Sequence, residues 1–252
     1  MIDLHVHLIG HQDRAATSDN LREFLNTASE RGLKEIGFAD HDHFFEELNF
    51  PLIKEVAAEY PELKVRVGLE VDYRPQEEDK IRERLTKFPF DYVIGSVHEI
   101  EGWMFDHPDA EALHSDYDPD ELYRSYFKLV EQAARSRLFT TIGHLDLVKI
   151  FGVRPNSDVI KLAEKAIQEI NNNGLAVEIN TNGRYKPIRE FYPEMRLVEV
   201  LAAQNVPITL GSDAHQADVV GRDLTEVISN LKGIGVKELV SFEKLQTIKY
   251  ML

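Results

Sequence analysis

The chain opens MIDLHVHLIGHQDRAATSDNLREFLNTASERGLKEIGFADHDH (residues 1–43), and this stretch shows the fold in miniature. Met1 to Val6 reads as a strand on which Asp3, His5 and His7 share one face, because successive side chains point to opposite faces. TSDNLREFLNTASERG then reads as a helix. Ser18 or Asp19 is placed to cap it, Leu21, Phe24, Leu25 and Ala28 fall on one side, and Gly32 ends it. A second short run, Glu35 to Ala39, closes on Asp40, His41, Asp42 and His43. Strand, helix, strand: each strand ends where ionisable side chains begin.

The unit recurs along the chain. Further strands are expected at Lys64 to Glu70, Tyr92 to Ser96, Thr140 to His144, Leu175 to Asn180 and Pro207 to Ser212. DPDELYRSYFKLVEQAARS is a helix capped by Asp118 with Pro119 at its first position, and NSDVIKLAEKAIQEINNNG runs from Asn156 or Ser157 to Gly174. Such alternation implies parallel strands joined by crossover helices, in a closed barrel or a doubly wound sheet. No GxGxxG or GxxxxGK[ST] follows any strand, so the barrel is the better reading. We expect an α/β fold, a distorted seven-stranded (β/α) TIM-like barrel, as a single domain over residues 1–252. ELVSF (238–242) reads as an extra edge strand and FEKLQTIKYML (242–252) as a terminal helix.

Composition narrows the function. Hydrophobic residues at 43% and charged residues at 29% describe a soluble globular chain, with no apolar stretch of membrane-spanning length and no secretory signal; a cytoplasmic location is expected. The net charge of −15 argues against a nucleic-acid partner but permits a small phosphorylated substrate in a locally cationic pocket. With no cysteine, any metal must be held by His, Asp and Glu.

In barrels of this kind the working residues project from the C-terminal ends of the strands. Six of the seven predicted strands deliver a His or a carboxylate there: His5 and His7; His41; Glu70; His98; His144 with Asp146; Asp213 with His215. Histidines scattered independently would not fall so regularly, and convergent groups mark a site better than any single motif. The set suits Zn, Fe or Mn and exceeds what one ion needs, so two or three divalent transition metals are expected. Such a cluster acidifies a bound water and clamps the oxygens of an in-line displacement, which is phosphoester hydrolysis.

DLHVH, DHDH, GLEVDY, GSVHEI, GHLDL and GSDAH, in this order, resemble the motifs of the PHP (polymerase and histidinol phosphatase) family of metallophosphoesterases. SVHEIEGWMFDHP (96–108) and EINTNGRYKPIREFYPE (178–194) most resemble its histidinol-phosphate phosphatase branch. The resemblance implies a distorted seven-stranded barrel and a three-metal scheme. His5, His7, Glu70 and Asp213 would hold the first metal, and the bridging Glu70 with His98 and His144 the second. His41 and His215 would hold the third, together with Asp13, which stands where the family usually has a histidine, or with His11 two residues earlier.

The implied reaction is hydrolysis of a phosphate monoester, histidinol phosphate first among them, by a metal-bridging hydroxide. The resemblance places phosphate-binding arginines at Arg154 and Arg184, with Lys149 and Lys186 as substitutes. Candidate proton donors to the leaving alkoxide are Asp42, His43 and Asp146, each beside a ligand and each also able to orient one. Trp103 lies in the long loop after His98, where it either covers the substrate ring or anchors the loop; His107 and His114 in that loop read as solvated. Alternatives are a PHP enzyme acting on nucleotides, sugar phosphates or phosphopeptides, an amidohydrolase, and a non-catalytic metal module. Amidohydrolase barrels have eight strands and usually a metal-bridging lysine where this chain has His98.

Overall fold

In the computed structural model, which describes residues 1–252, every expected strand forms. Strands β1 (Ile2–Val6), β2 (Glu35–Phe38), β3 (Lys64–Asp72) and β4 (Tyr92–Ser96) are followed by a small antiparallel hairpin, β5 (Glu99–Ile100) and β6 (Trp103–Met104). Then come β7 (Thr141–Ile142), β8 (Ala176–Asn180), β9 (Ile208–Gly211) and a second hairpin, β10 (Glu238–Glu243) and β11 (Gln246–Met251). The parallel sheet runs β1-β2-β3-β4-β7-β8-β9, seven strands curled into a nearly closed barrel. Helices α1 (Ser18–Glu30), α2 (Phe50–Ala57), α3 (Glu78–Thr86), α4 (Pro119–Ser136), α5 (Val159–Asn172), α6 (Met195–Ala203) and α7 (Leu224–Gly233) supply the connections. None of them is long and apolar enough to cross a membrane.

Most barrel strands are buried along their whole length, as expected when helices cover one face and the barrel interior the other. The fully buried Tyr92 ring lies against β2 and β3, which explains two glycines. A Cβ at Gly37 or Gly68 would lie 2.3 or 2.4 Å from the Tyr92 side chain. Barrel closure between β9 and β1 is mostly a side-chain matter. One bridge, Val6 to Ala214, joins the backbones near the top. Deeper down Asp3 accepts hydrogen bonds from Ser212 N–H (2.8 Å), Ser212 Oγ (2.6 Å) and Gly221 N–H (2.7 Å), stitching the seam with one carboxylate.

Three expectations need correction. Thr17, not Ser18 or Asp19, caps α1, because its hydroxyl is the one that meets the free N–H of Asn20 (3.2 Å). Asp158 caps α5, since Asn156 and Ser157 are already engaged by the Asp120 carboxylate at the start of α4. The C-terminal segment is not a helix. It returns as β11 along β10 through a turn at Lys244 and Leu245, both with positive φ (51° and 64°), a geometry that suits two-residue hairpins. Asp91, just before β4, holds that turn by accepting the Lys244 and Leu245 N–H groups. The hairpin therefore packs across the N-terminal ends of the strands, opposite the rim where the histidines gather.

Candidate metal centre

Strand alternation sends His5 and His7 into the barrel, where both are fully buried. They meet Glu70, which leaves β3 pointing at the barrel axis. Five imidazoles surround this carboxylate: His41 Nδ1 at 2.8 Å, His144 Nε2 at 3.0 Å, His5 Nε2 at 3.4 Å, and the Nε2 atoms of His7 and His98 at 3.6 Å. Asp213, just past β9, brings a second carboxylate to within 3.2 Å of His7 Nε2 and 3.4 Å of His215 Nδ1. The His215 ring stacks on His7 at 4.2 Å. Six motifs spread over 210 residues thus converge on one point.

The electrostatics are those of an anionic cage. Burial opposes ionisation of Glu70, but His5 and His41 outweigh it and hold the carboxyl well below the usual carboxylate range. Asp213 is held down in the same way, against burial, by His5 and His7. Burial, reinforced by His215 and His41, pushes His7 well below the ordinary histidine value and leaves its imidazole neutral. His5, His41 and His98 are instead raised against their burial, chiefly by Glu178, Glu70 and Asp72 in turn, so these imidazoles would release a proton on taking up a cation.

Several of these atoms lack any hydrogen-bond partner: His5 Nε2, both ring nitrogens of His7, His41 Nδ1, Glu70 Oε2 and His215 Nε2. Buried polar atoms left unpaired cost free energy, and native proteins rarely keep a cluster of them unless another group completes the site. Groups within metal-ligating reach of one another are His5–His7–Glu70, His7–His41–His215 and His41–Glu70–His98. The residues fit divalent transition metals.

A profile of the PHP domain matches residues 3–182. The chain belongs to the PHP family. A probable histidinol-phosphatase of Deinococcus radiodurans is 38% identical to this PHP protein over 246 residues, covering 92% of each chain. The histidinol-phosphatase of Lactococcus lactis is 30% identical over 270 residues, covering 95% of this chain and 94% of the relative. Among solved structures, a Lactococcus lactis histidinol phosphate phosphatase complexed with zinc, L-histidinol and phosphate superposes with a TM-score of 0.81 at 24% identity, over 98% of both chains.

Within this PHP barrel the remaining expected residues divide. Asp13 and His11 are both exposed on the loop after β1; Asp13 faces Arg14 at 3.5 Å, and the His11 ring lies 4.5 Å from His215 and 5.6 Å from His41. His11 is pushed down to about 4 by burial and by those two histidines. Asp146 and Lys149 are corrections. Both are fully buried and paired at 2.9 Å, with Asp146 accepting the Glu194 N–H and Lys149 donating to Phe191 O, so neither reaches the open cleft. Asp42 is held by Arg84 and by the Asp72 N–H, and burial, then Asp72, raises it to about 6. His43 lies open at the rim, its ring 5.2 Å from His41 and 3.9 Å from Phe44.

Arg184 grips Glu226 with both arms of its fork (2.5 and 2.6 Å), and Arg154 holds Glu190 and Glu194. The two share a cleft beside the 189–196 loop, each already paired with carboxylates. Lys186 is exposed and lies on the His11 side of the centre. Trp103 stacks flat on Tyr117 (4.5 Å, 11°) and packs against His114 at 4.9 Å, which makes it the anchor of its loop. His114 is not solvated: it is buried and bonded to Phe105 O.

Sequence reasoning missed the carboxylates behind the ligands. Asp72 accepts from His98 Nδ1 at 2.5 Å and Glu178 from His5 Nδ1 at 2.6 Å. The signal was present in GLEVDY and VEIN, as acidic residues in otherwise apolar strands, but each lies two residues from a more conspicuous candidate or in a strand without a histidine.

Proposed function

We propose that this PHP-family protein is a metal-dependent phosphate monoester hydrolase whose substrate is histidinol phosphate. The observation that carries the reading is the cage of five imidazoles around Glu70, with its unpartnered buried nitrogens. The names and similarity of its relatives support the substrate. His5, His7, Glu70 and Asp213 would hold one divalent ion, and Glu70, His98 and His144 a second. His41, His215 and His11 are the residues available to a third; zinc is one of the ions that suit this donor set. When bound, such ions supply Lewis acidity and a water acidified toward neutrality.

The chain's own residues do the rest. Lys186 meets the phosphate at the open side beside His11. Arg184 and Arg154 reach it by exchanging a glutamate for a phosphate, since the guanidinium fork suits either oxyanion. His43, the one of the three proton-donor candidates exposed at the rim, hands a proton to the departing alkoxide. The Trp103–Tyr117 stack holds the loop that borders the substrate. We assign the reaction to the cytoplasm, and a net charge of −15 suits a small substrate better than a nucleic acid.

The test is turnover of histidinol phosphate by zinc- or manganese-loaded protein beside a panel of nucleotides, sugar phosphates and a phosphotyrosine peptide. We expect histidinol phosphate to have the highest kcat/KM, and a His5→Ala, His7→Ala double variant to lose at least about three orders of magnitude. Wild-type protein no faster than that variant would sink the phosphatase reading, and a better substrate elsewhere in the panel would sink the histidinol assignment.

A further inference from the structure

Glu178 sits in the middle of β8, on the one barrel strand that contributes no ligand to the scheme above. It is 1% exposed and both its oxygens are occupied. Oε1 accepts from His5 Nδ1 at 2.6 Å. Oε2 accepts the backbone N–H of His144 at 2.9 Å and one amide proton of Asn180 at 3.2 Å, while the same Asn180 nitrogen reaches Asp213 Oδ2 at 3.3 Å. Three ligands from three separate strands are thus tied to one carboxylate.

The surroundings are shaped to keep it there. A Cβ at Gly211 would come within 2.0 Å of Glu178 Oε1 and 2.5 Å of the His5 Cβ, so only glycine leaves room for the pair. His144 has φ +21°, a conformation that non-glycine residues rarely adopt and that costs free energy unless neighbours hold it. Here the bond to Glu178 holds its N–H, and Tyr126 Oη donates to its carbonyl at 3.2 Å. A carboxylate is the one side chain that suits the position, because all three incoming groups donate. An amide would turn its own N–H₂ toward one of them. Since a carboxylate only accepts, His5 carries its hydrogen on Nδ1 and presents Nε2 to the centre.

We infer that Glu178 is the positioning residue of the site: it orients the ligands of both neighbouring metal positions, so that the two positions are strengthened or lost together. This rests on the metal-centre reading above. The experiment titrates metal-stripped, full-length wild type and Glu178→Gln with Co²⁺, following the visible d–d bands and the heat of binding. Wild type should fill two tight positions, and Glu178→Gln should weaken both by about 10- to 100-fold with altered bands, as lost outer partners of metal ligands do. Equal affinity in the two proteins, or weakening at one position alone, overturns the inference. No Co²⁺ uptake by wild type overturns the metal-centre reading, and this inference with it. Should Glu178→Gln fail to fold, the decision passes to long-range ¹H–¹⁵N spectra of zinc-loaded wild type. His5 must then show a protonated Nδ1 and a metal-bound Nε2; the reverse arrangement overturns the assignment.

Discussion

His98 shows how much single side chains of this site are governed by their neighbours. Burial alone would lower its pKa, but Asp72 and then Asp106 outweigh burial and raise it to about 10. Asp72, against its own burial, is drawn down to about 2 by His98. In the metal-free protein the folded pKa of His98 exceeds its ordinary 6.5, so the pair stabilises fully below that value and the contribution fades as pH rises through about 10. On the acid side it is present above the ordinary 3.8 of Asp72 and fades as pH falls through about 2. Asp72→Asn should therefore cost on the order of 3 kcal/mol near pH 5.5 and far less near pH 10. Urea unfolding of the stripped proteins at both pH values measures this; an unchanged gap would rule it out. A second expectation concerns His43: His43→Gln should slow histidinol phosphate about 100-fold or more while sparing p-nitrophenyl phosphate, whose leaving group needs no proton. Equal losses on both substrates would remove His43 as the donor. The convergence of the candidate ligands was legible in the sequence because each stands at or near the end of a strand. Asp72 and Glu178 were not, because an acidic residue inside a strand looks the same whether it faces a histidine or merely interrupts an apolar run. Arg154 and Arg184 illustrate a different limit: sequence gives their charge but not the glutamates that claim them.

Elements were read from alternation and punctuation, and they were misread where punctuation was missing. All seven barrel strands stand within one or two residues of their expected limits; β7 is the shortest, keeping only Thr141–Ile142, because His144 bends out of the ladder. The C-terminal hairpin was missed because its turn, Lys244–Leu245, carries neither glycine nor asparagine; its geometry is imposed from outside by Asp91. The same hairpin solves a problem at the bottom of the barrel. Glu35, fully buried at the start of β2, is met there by Arg66 (3.0 Å), Ser241 and Tyr250. Tyr250→Phe removes one of these donors, and we expect a loss of about 1–2 kcal/mol with kcat unchanged, since the hairpin and the metal centre occupy opposite ends. Denaturant midpoints and steady-state kinetics on the same samples check both halves, and a fall in kcat would contradict the separation of the two ends.

For the molecule as a whole, a stable barrel built around unpaired donors implies that metal and fold support each other. A ligand bound only by the native state stabilises it by about 4 kcal/mol at a thousandfold excess over its Kd. For a chain of this size that corresponds to a rise of about 10 °C in the thermal midpoint. Calorimetry in excess zinc and again in a chelator should show that difference, and superimposable scans would refute it. The barrel's seam carries a further consequence, one of time rather than energy. His5 and His7 stand on or just past the first strand, Asp213 and His215 just beyond the last, and the two strands meet through the Val6–Ala214 bridge and the Asp3 stitch. No other pair of neighbouring strands is so far apart along the chain, and contacts between distant segments are the slow ones to form. The first cage of ligands is thus assembled by the very event that completes the barrel, and a chain whose seam is still open lacks that position.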